Sequence, residues 1–321
     1  YESEVVGDDI VGSNGRDYIV GSDGNDVIDG RGGSDLLIGG LGDDTYIFEA
    51  GYVERHLRGY SVSDRIIEQE DGGVDLIRAD SWWTLYQLPE NVENLELLGS
   101  SGGGIGNDLD NYIFVTDPVD PNDVNNGSHR LEGAGGNDVL DGGRLSDTII
   151  GGTGNDRIVS GGGNDEIHFS RGDGVDTVND EADGFSLLLS GIEEHEVVFA
   201  FIDNLLNIDM GQGEKVIVES FDVSDIDSTL PIINIEFTNI DSPTNWNNED
   251  ITGKINDALS NSLADVLGTD TNNELTLTNA NENISAQEGD DTVLVNGHDK
   301  GINRIIGGDG FDTILGGDGD D

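Results

Sequence analysis

Residues 7–47 read GDDIVGSNGRDYIVGSDGNDVIDGRGGSDLLIGGLGDDTYI. An Asp recurs every nine residues, at Asp8, Asp17, Asp26, Asp35 and Asp44. Two residues after each stands a large apolar side chain: Ile10, Ile19, Ile28, Leu37 and Tyr46. Gly precedes four of these Asp by two positions, at Gly15, Gly24, Gly33 and Gly42, and another opens each turn at Gly12, Gly21, Gly30 and Gly39. A fixed period settles architecture before any propensity count. The unit reads as a Gly-rich turn ending in Asp, followed by a three-residue strand. So short a strand suits one rung of a coil whose turns stack on one another. Its middle residue points inward and its neighbours outward. The Ile, Leu and Tyr positions then stack into a thin core.

The Asp column follows a separate logic. Stacked turns bring carboxylates within a few ångströms, where like charges repel or give up their charge. A divalent cation resolves the conflict. Carboxylates with turn carbonyls form an all-oxygen cage of the kind Ca²⁺ prefers. With no Cys and five scattered His, the chain disfavours a soft-ligand metal.

GSDGNDVID, GRGGSDLLI and GGLGDDTYI resemble the RTX nonapeptide G-G-x-G-x-D-x-U-x of calcium-binding β-rolls. The resemblance implies an all-β fold: a parallel β-roll in several blocks, with flanking β-strand caps and one short α-helix. It also implies that Asp of turns two repeats apart share one Ca²⁺ with turn carbonyls. That pairs Asp8 with Asp26, Asp17 with Asp35 and Asp26 with Asp44, and it brings in the turn positions Gly15, Gly24, Gly33 and Gly42. Val6 departs from the pattern, standing where Gly is expected before Asp8.

The chain has 67 acidic and 14 basic residues among 321, a net charge of −53. It does not attract nucleic acid or an anionic membrane by charge. Its natural partners are cations, and roughly ten bound Ca²⁺ leave it strongly negative. Homotypic or surface assembly is compatible with this composition. No run of 18 apolar residues and no signal-peptide pattern occurs, so membrane insertion is not expected. The chain starts without Met and ends in mid-repeat, which reads as a piece of a longer protein.

Five sections are expected. Residues 1–47 form a first calcium β-roll block. Residues 48–128 form a metal-free β linker or cap of further stacked strands without an Asp ladder, in which Phe48 and Tyr46 plug the end of the thin core. Asn91, Asn94, Asn107 and Asn111 would bond turn backbones in place of calcium. LPENVENLELLG at 88–99 resembles the linker between repeat blocks of very large RTX surface proteins. Trp82 and Trp83 read as core or cap residues, and 116–128 as a loop.

A second calcium block spans 129–180, with Asp138, Asp147, Asp156 and Asp165 nine apart and Leu140, Ile149, Ile158 and Ile167 as apolar partners. The resemblance pairs Asp138 with Asp156 and Asp147 with Asp165, adds the turn positions Gly136, Gly154 and Gly163, and makes FSRGDGVDTVND, with Asp176, a capping repeat. His129 and Leu145 are degenerate positions.

Residues 181–267 form a flanking β-segment with a capping helix over 249–267, Ile251, Ile255, Leu259, Leu263 and Val266 falling at helical spacing. Residues 268–321 form a third, incomplete block, where Asn303, Asp312 and Asp321 resume the register beside Ile305 and Ile314.

GSSGG at 99–103 matches G-x-S-x-G, but GGIGND follows where a nucleophile elbow needs a helix. EEHE at 193–196 reads as a surface group, and no H-E-x-x-H occurs. The expected function is a non-catalytic, calcium-binding structural section of a large extracellular or cell-surface protein, adhesin or surface-layer-like. By the resemblance it leaves the cell through type I secretion and folds where calcium is abundant. The alternative is the C-terminal export and folding region of a secreted protease, lipase or polysaccharide-active enzyme.

Overall fold

The computed structural model describes residues 9–48, 64–79, 85–98, 102–116, 128–180, 183–202, 205–219, 230–238, 244–262, 266–267, 272, 274–277, 283–285, 289–295, 304–306 and 310–315. The chain divides into two compact units, Tyr1–Val197 with Ile208–Asn248, and Val198–Asn207 with Glu249–Asp321.

The first unit is a parallel β-roll. Successive short strands alternate between two facing sheets, so each strand pairs with the one two places on. One sheet stacks Asp9–Val11, Val27–Asp29, Thr45–Phe48, Leu76–Ala79, Asn94–Leu98, Tyr112–Thr116, Val139–Asp141, Arg157–Gly161, Val175–Asp180 and Lys215–Val218, all in parallel. The other face begins with Tyr18–Val20, Leu36–Ile38 and Arg65–Ile67. It resumes with Leu85–Gln87, Gly103–Ile105, Arg130–Gly135, Thr148–Thr153, Asp165–Ser170, Phe185–Ser190 and Ile232–Phe237.

Register follows the apolar column. Ile10, Ile28, Tyr46, Ile77, Leu95, Ile113, Leu140, Ile158 and Val178 pair in turn, and every one is buried. Opposite them, Leu131, Ile149, Ile167, Leu187 and Ile235 form the second column. The core is one side chain thick per face. Gly104 shows how narrow it is, since a Cβ there would lie 2.6 Å from Leu95 Cδ2 and 3.1 Å from Ile113 Cγ2. Gly42 is required for another reason. It has φ +107°, and a Cβ would lie 2.6 Å from the Gly24 carbonyl carbon.

The described strands of 48–128 stack on as expected and continue both sheets of the roll, but Tyr46 is a core rung and not a plug. Phe48 lies half-buried, its ring centroid 5.5 Å from that of Tyr86. Trp82, Trp83 and residues 117–127 of the expected loop lie outside the described residues.

The exposed edge after Ile232–Phe237 is closed by an antiparallel strand, Thr244–Asn247. Trp246 packs edge-on against Phe237 at 4.9 Å, and its indole N–H donates to Glu194 at 2.6 Å. Glu194–Glu196 is a single 3₁₀ turn, and His195 is exposed on it, as expected of a surface group.

Arg171 clasps this end of the roll. Its guanidinium meets Glu196 at 2.7 Å and Glu214 at 2.7 Å, while Glu214 also accepts from the Gly172 N–H at 2.7 Å. Forked pairing of this kind is geometrically specific. Arg171→Ala is expected to lower the melting temperature of the calcium-loaded protein by about 2–4 °C without changing its calcium stoichiometry. Differential scanning calorimetry checks this, and an unchanged transition contradicts the clasp.

The second unit contains the helix, Asn248–Ser262. Ile251 and Ile255 are fully buried on it, as the spacing predicts. The helix ends earlier than expected, and Val266 stands in a strand, Val266–Leu267, paired in parallel with Asn283–Ser285. Leu263 lies outside the described residues. A parallel stack follows: Asn283–Ser285 on Arg304–Ile306, and Glu274–Leu277 on Thr292–Val295 on Thr313–Leu315. Ile314 is 47% exposed rather than core, whereas its partner Val293 is buried.

Candidate metal centre

The repeat Asp residues form two buried ladders, one along each edge of the roll. In each rung, a carboxylate oxygen accepts the backbone N–H of the Asp two turns earlier. Asp35 accepts from Asp17 at 2.8 Å and Asp44 from Asp26 at 2.7 Å. Asp156 accepts from Asp138 and Asp165 from Asp147, both at 2.8 Å. The structure therefore brings together the pairs 17/35, 26/44, 138/156 and 147/165. Asp8 and Asp321 lie outside the described residues, as do Val6 and Asn303.

The ladders run further than the nine-residue register. Asp64 accepts from Asp35, Asp75 from Asp44, and Glu93 from Asp75, each at 2.8 Å. Asp176 accepts from Asp156 at 3.0 Å and Asp312 from Asp291 at 3.0 Å. Asp64, Asp75, Glu93 and Asp291 were missed because insertions break the spacing around them. The local signal survived in Asp64-x-Ile66, Asp75-x-Ile77 and Asp291-x-Val293, an Asp two residues before a buried apolar side chain. His129 occupies a ladder position, buried, with its N–H donating to Asp147 at 2.6 Å.

The other carboxylate oxygen carries the chemistry. Oδ2 of Asp35, Asp44, Asp75, Asp138 and Asp156 is buried and accepts no hydrogen bond. A buried charged oxygen left so costs on the order of 1–3 kcal/mol or more. Those of Asp35, Asp44, Asp138 and Asp156 face the Gly that opens the turn. Where Gly30 would carry a Cβ, Asp35 Oδ2 stands at 2.8 Å. At Gly133, Asp138 Oδ2 and the Gly151 carbonyl oxygen crowd the same spot, and at Gly142 so do Asp147 Oδ2 and the Ser160 carbonyl oxygen, each at 2.9 Å. Carboxylate and carbonyl oxygens thus converge on cradles that only Gly leaves open. The predicted positions Gly15, Gly24, Gly33, Gly42, Gly136, Gly154 and Gly163 lie in the same turns. A Cβ on Gly154 would collide with the Gly136 carbonyl, which shows how closely consecutive turns approach. Hard, oxygen-only donors with orphaned negative atoms fit Ca²⁺.

Burial is the main cause that pushes these carboxyls up, and the backbone N–H each accepts pulls partly back. Asp44 and Asp64 are raised to about 6, Asp75, Asp138 and Asp165 to about 7, and Asp176 to about 8. Asp35, Asp156 and Glu93 are raised for the same reason. Without a counter-cation the folded roll favours protons on these groups.

The rungs near 91–111 use amides instead. Asn91 donates to the Glu68 carbonyl at 3.0 Å, and Asn107 donates to the Pro89 and Val92 carbonyls at 2.7 and 2.8 Å. Asn111 takes a ladder position, and its own N–H donates to Asp138 at 2.7 Å. These side chains satisfy turn carbonyls directly, as the Asn pattern predicts for Asn91 and Asn107.

The RTX calcium-binding nonapeptide repeat matches in four copies, over residues 11–46, 125–148, 141–176 and 299–321. These are RTX repeats. The chain is also 44% identical over 54 residues to "Endo-1,3-1,4-beta-glycanase EglC" of Rhizobium meliloti, covering 17% of this chain and 11% of that protein. The crystal structure of the extracellular lipase LipA from Serratia marcescens aligns at TM-score 0.30 and 16% identity, over 72% of this chain and 40% of the lipase. The chain thus spans only a minor part of each of these proteins. Its parallel β-roll stands on the repeats and the sheet register. Among the described residues no helix is long and apolar enough to cross a membrane.

Proposed function

We propose that this chain is a non-catalytic calcium-binding section of a type I-secreted extracellular or cell-surface RTX protein, adhesin or surface-layer-like, which folds on export when Ca²⁺ binds. The observation that carries the reading is the pair of buried carboxylate ladders with orphaned oxygens facing the turn glycines. Such ladders strain a metal-free roll and stabilise a metal-bound one, so metal binding becomes folding free energy. Calcium-holding sections at 1–47, 129–180 and 268–321, with strands of 48–128 and 181–267 between them, belong to this proposal. Ladder residues Asp17, Asp26, Asp35, Asp44, Asp138, Asp147, Asp156, Asp165, Asp176 and Asp312 act as ligands and struts. Calcium is the partner that the chemistry requires, and self-association on a surface is compatible with it.

A second reading makes the chain the export and folding region of a secreted enzyme. The stretch shared with a protein named as a glycanase favours it. The full-length gene separates the two, since a catalytic domain encoded within one domain length upstream overturns the first reading. Both expect calcium-dependent compaction of the chain in sedimentation velocity, and a sedimentation coefficient indifferent to calcium overturns the folding role.

A further inference from the structure

The turn-opening position is Gly at 12, 21, 30 and 39, yet the turn stacked next to 39–44 opens with Glu68. Glu68 does not leave the roll for solvent, being 7% exposed. Its Oε1 accepts the hydroxyl of Tyr46, a core residue with no exposed surface. Carboxylate oxygens of Asp44, Glu68 and Asp75 all lie within 4.8 Å of one another. Among the described residues this is the one place where three acidic side chains converge so closely. A Cβ on Gly39 would strike Asp44 Oδ2 and Glu68 Oε1, and would stand 2.6 Å from the Tyr46 hydroxyl.

Two further atoms point to an occupant. Oδ2 of Asp44 and Oδ2 of Asp75 are buried without a hydrogen-bond partner, on residues each 1% exposed. Three acids enclosed together and short of donors need a positive charge or shared protons. The donors are hard oxygens, and no nitrogen or sulfur ligand stands among them.

We infer that Asp44, Glu68 and Asp75 hold a calcium ion through their side-chain carboxylates, with the Tyr46 hydroxyl positioning Glu68. The site rests on the calcium reading of the roll but uses atoms that the nonapeptide does not supply. Its first ligand belongs to the last regular repeat, and the other two follow the insertion that breaks the register. The ion therefore pins the irregular stretch after residue 48 to the regular coils before it. Tyr46 also marks the site spectroscopically, because a terbium ion bound there lies beside a tyrosine ring.

The test uses the full chain and calcium alone, with bound ions counted by equilibrium dialysis. Glu68→Gln is expected to lose one Ca²⁺ per chain while calcium still induces the β-sheet circular dichroism of the remaining coils. An unchanged ion count in Glu68→Gln overturns the inference and leaves the ladder sites standing. A wild-type chain that binds no calcium overturns both readings together. If Glu68→Gln does not fold, terbium decides. Tyrosine-sensitised terbium emission of the wild type should fall by more than half in Tyr46→Phe and persist in Asp156→Asn. Equal emission from wild type and Tyr46→Phe overturns the site.

Discussion

Excess EGTA at neutral pH should remove most of the β-sheet circular dichroism of the full chain, and excess calcium should restore it. The expectation rests on two features that add. The chain carries a net charge of −53, whose self-repulsion favours expansion. The folded roll also holds carboxylates in buried columns, among them Asp35, Asp44, Asp75, Asp138 and Asp156, each with an oxygen that accepts no hydrogen bond. Two unit charges about 5 Å apart repel by roughly 3 kcal/mol at an effective dielectric of 20, and the ladders repeat that contact. In the coils of 10–46 the apolar core offsets little of this, since each strand there buries one apolar side chain, Ile10, Ile19, Ile28, Leu37 and Tyr46. The rungs held by Asn91 and Asn107 should resist chelation longest, because their amides already satisfy turn carbonyls. Hydrogen exchange in EGTA should therefore retain protection around 91–114 after the coils of 17–46 and 138–167 have exchanged. A spectrum unaltered by EGTA would falsify calcium-gated folding.

The second large effect is on pH. Without calcium, the chain should gain structure as the solution is acidified from neutral pH, which is opposite in sign to ordinary acid denaturation. Asp44, Asp64, Asp75, Asp138, Asp165 and Asp176 have folded-state values of about 6 to 8, raised chiefly by burial. Their unfolded values are about 3.9. Between these limits the folded state binds more protons than the unfolded one. The contribution to stability is then fully present below about pH 4 and is lost as pH rises through about 6 to 8. The same protons compete with calcium, so apparent calcium affinity should fall by about tenfold per pH unit for each proton displaced. A circular dichroism titration in EGTA from pH 8 to about 4 tests the sign. Progressive loss of structure over that range would show that the ladders are not the buried, proton-accepting groups described above.

Much of this architecture was legible in the amino-acid order. The period of nine, with Asp two residues before an apolar side chain, identified which residues point inward and which carboxylates stack. Ile10, Ile19, Ile28, Leu37 and Tyr46 are all buried, and the pairs 17/35, 26/44, 138/156 and 147/165 stand in hydrogen-bonded rungs. Short-range periodicity suffices there because a coil with no insertions places residue i+18 directly over residue i.

The period was silent wherever the turns grow. Asp44 stacks on Asp75 and not on a residue 18 positions later, because 31 residues separate them. Strands on either side of the added residues keep the register. The stretch 48–128 was therefore legible as stacked strands, but the carboxylates of its ladder were not. The helix shows the same limit from another side. Spacing alone extended it to Val266, but pairing with Asn283–Ser285 draws that residue into a strand.

The sequence by itself determined the roll, its inward column and the carboxylate register, since a strict repeat encodes its own stacking. The tertiary structure decided where the ladder continues past the broken period, and it placed Glu68 between Asp44 and Asp75. The physical reason is that stacking acts across turns of any length. Residues 24 and 31 positions from Asp44 bring carboxylate oxygens within 4.8 Å of its own only once the coils are closed.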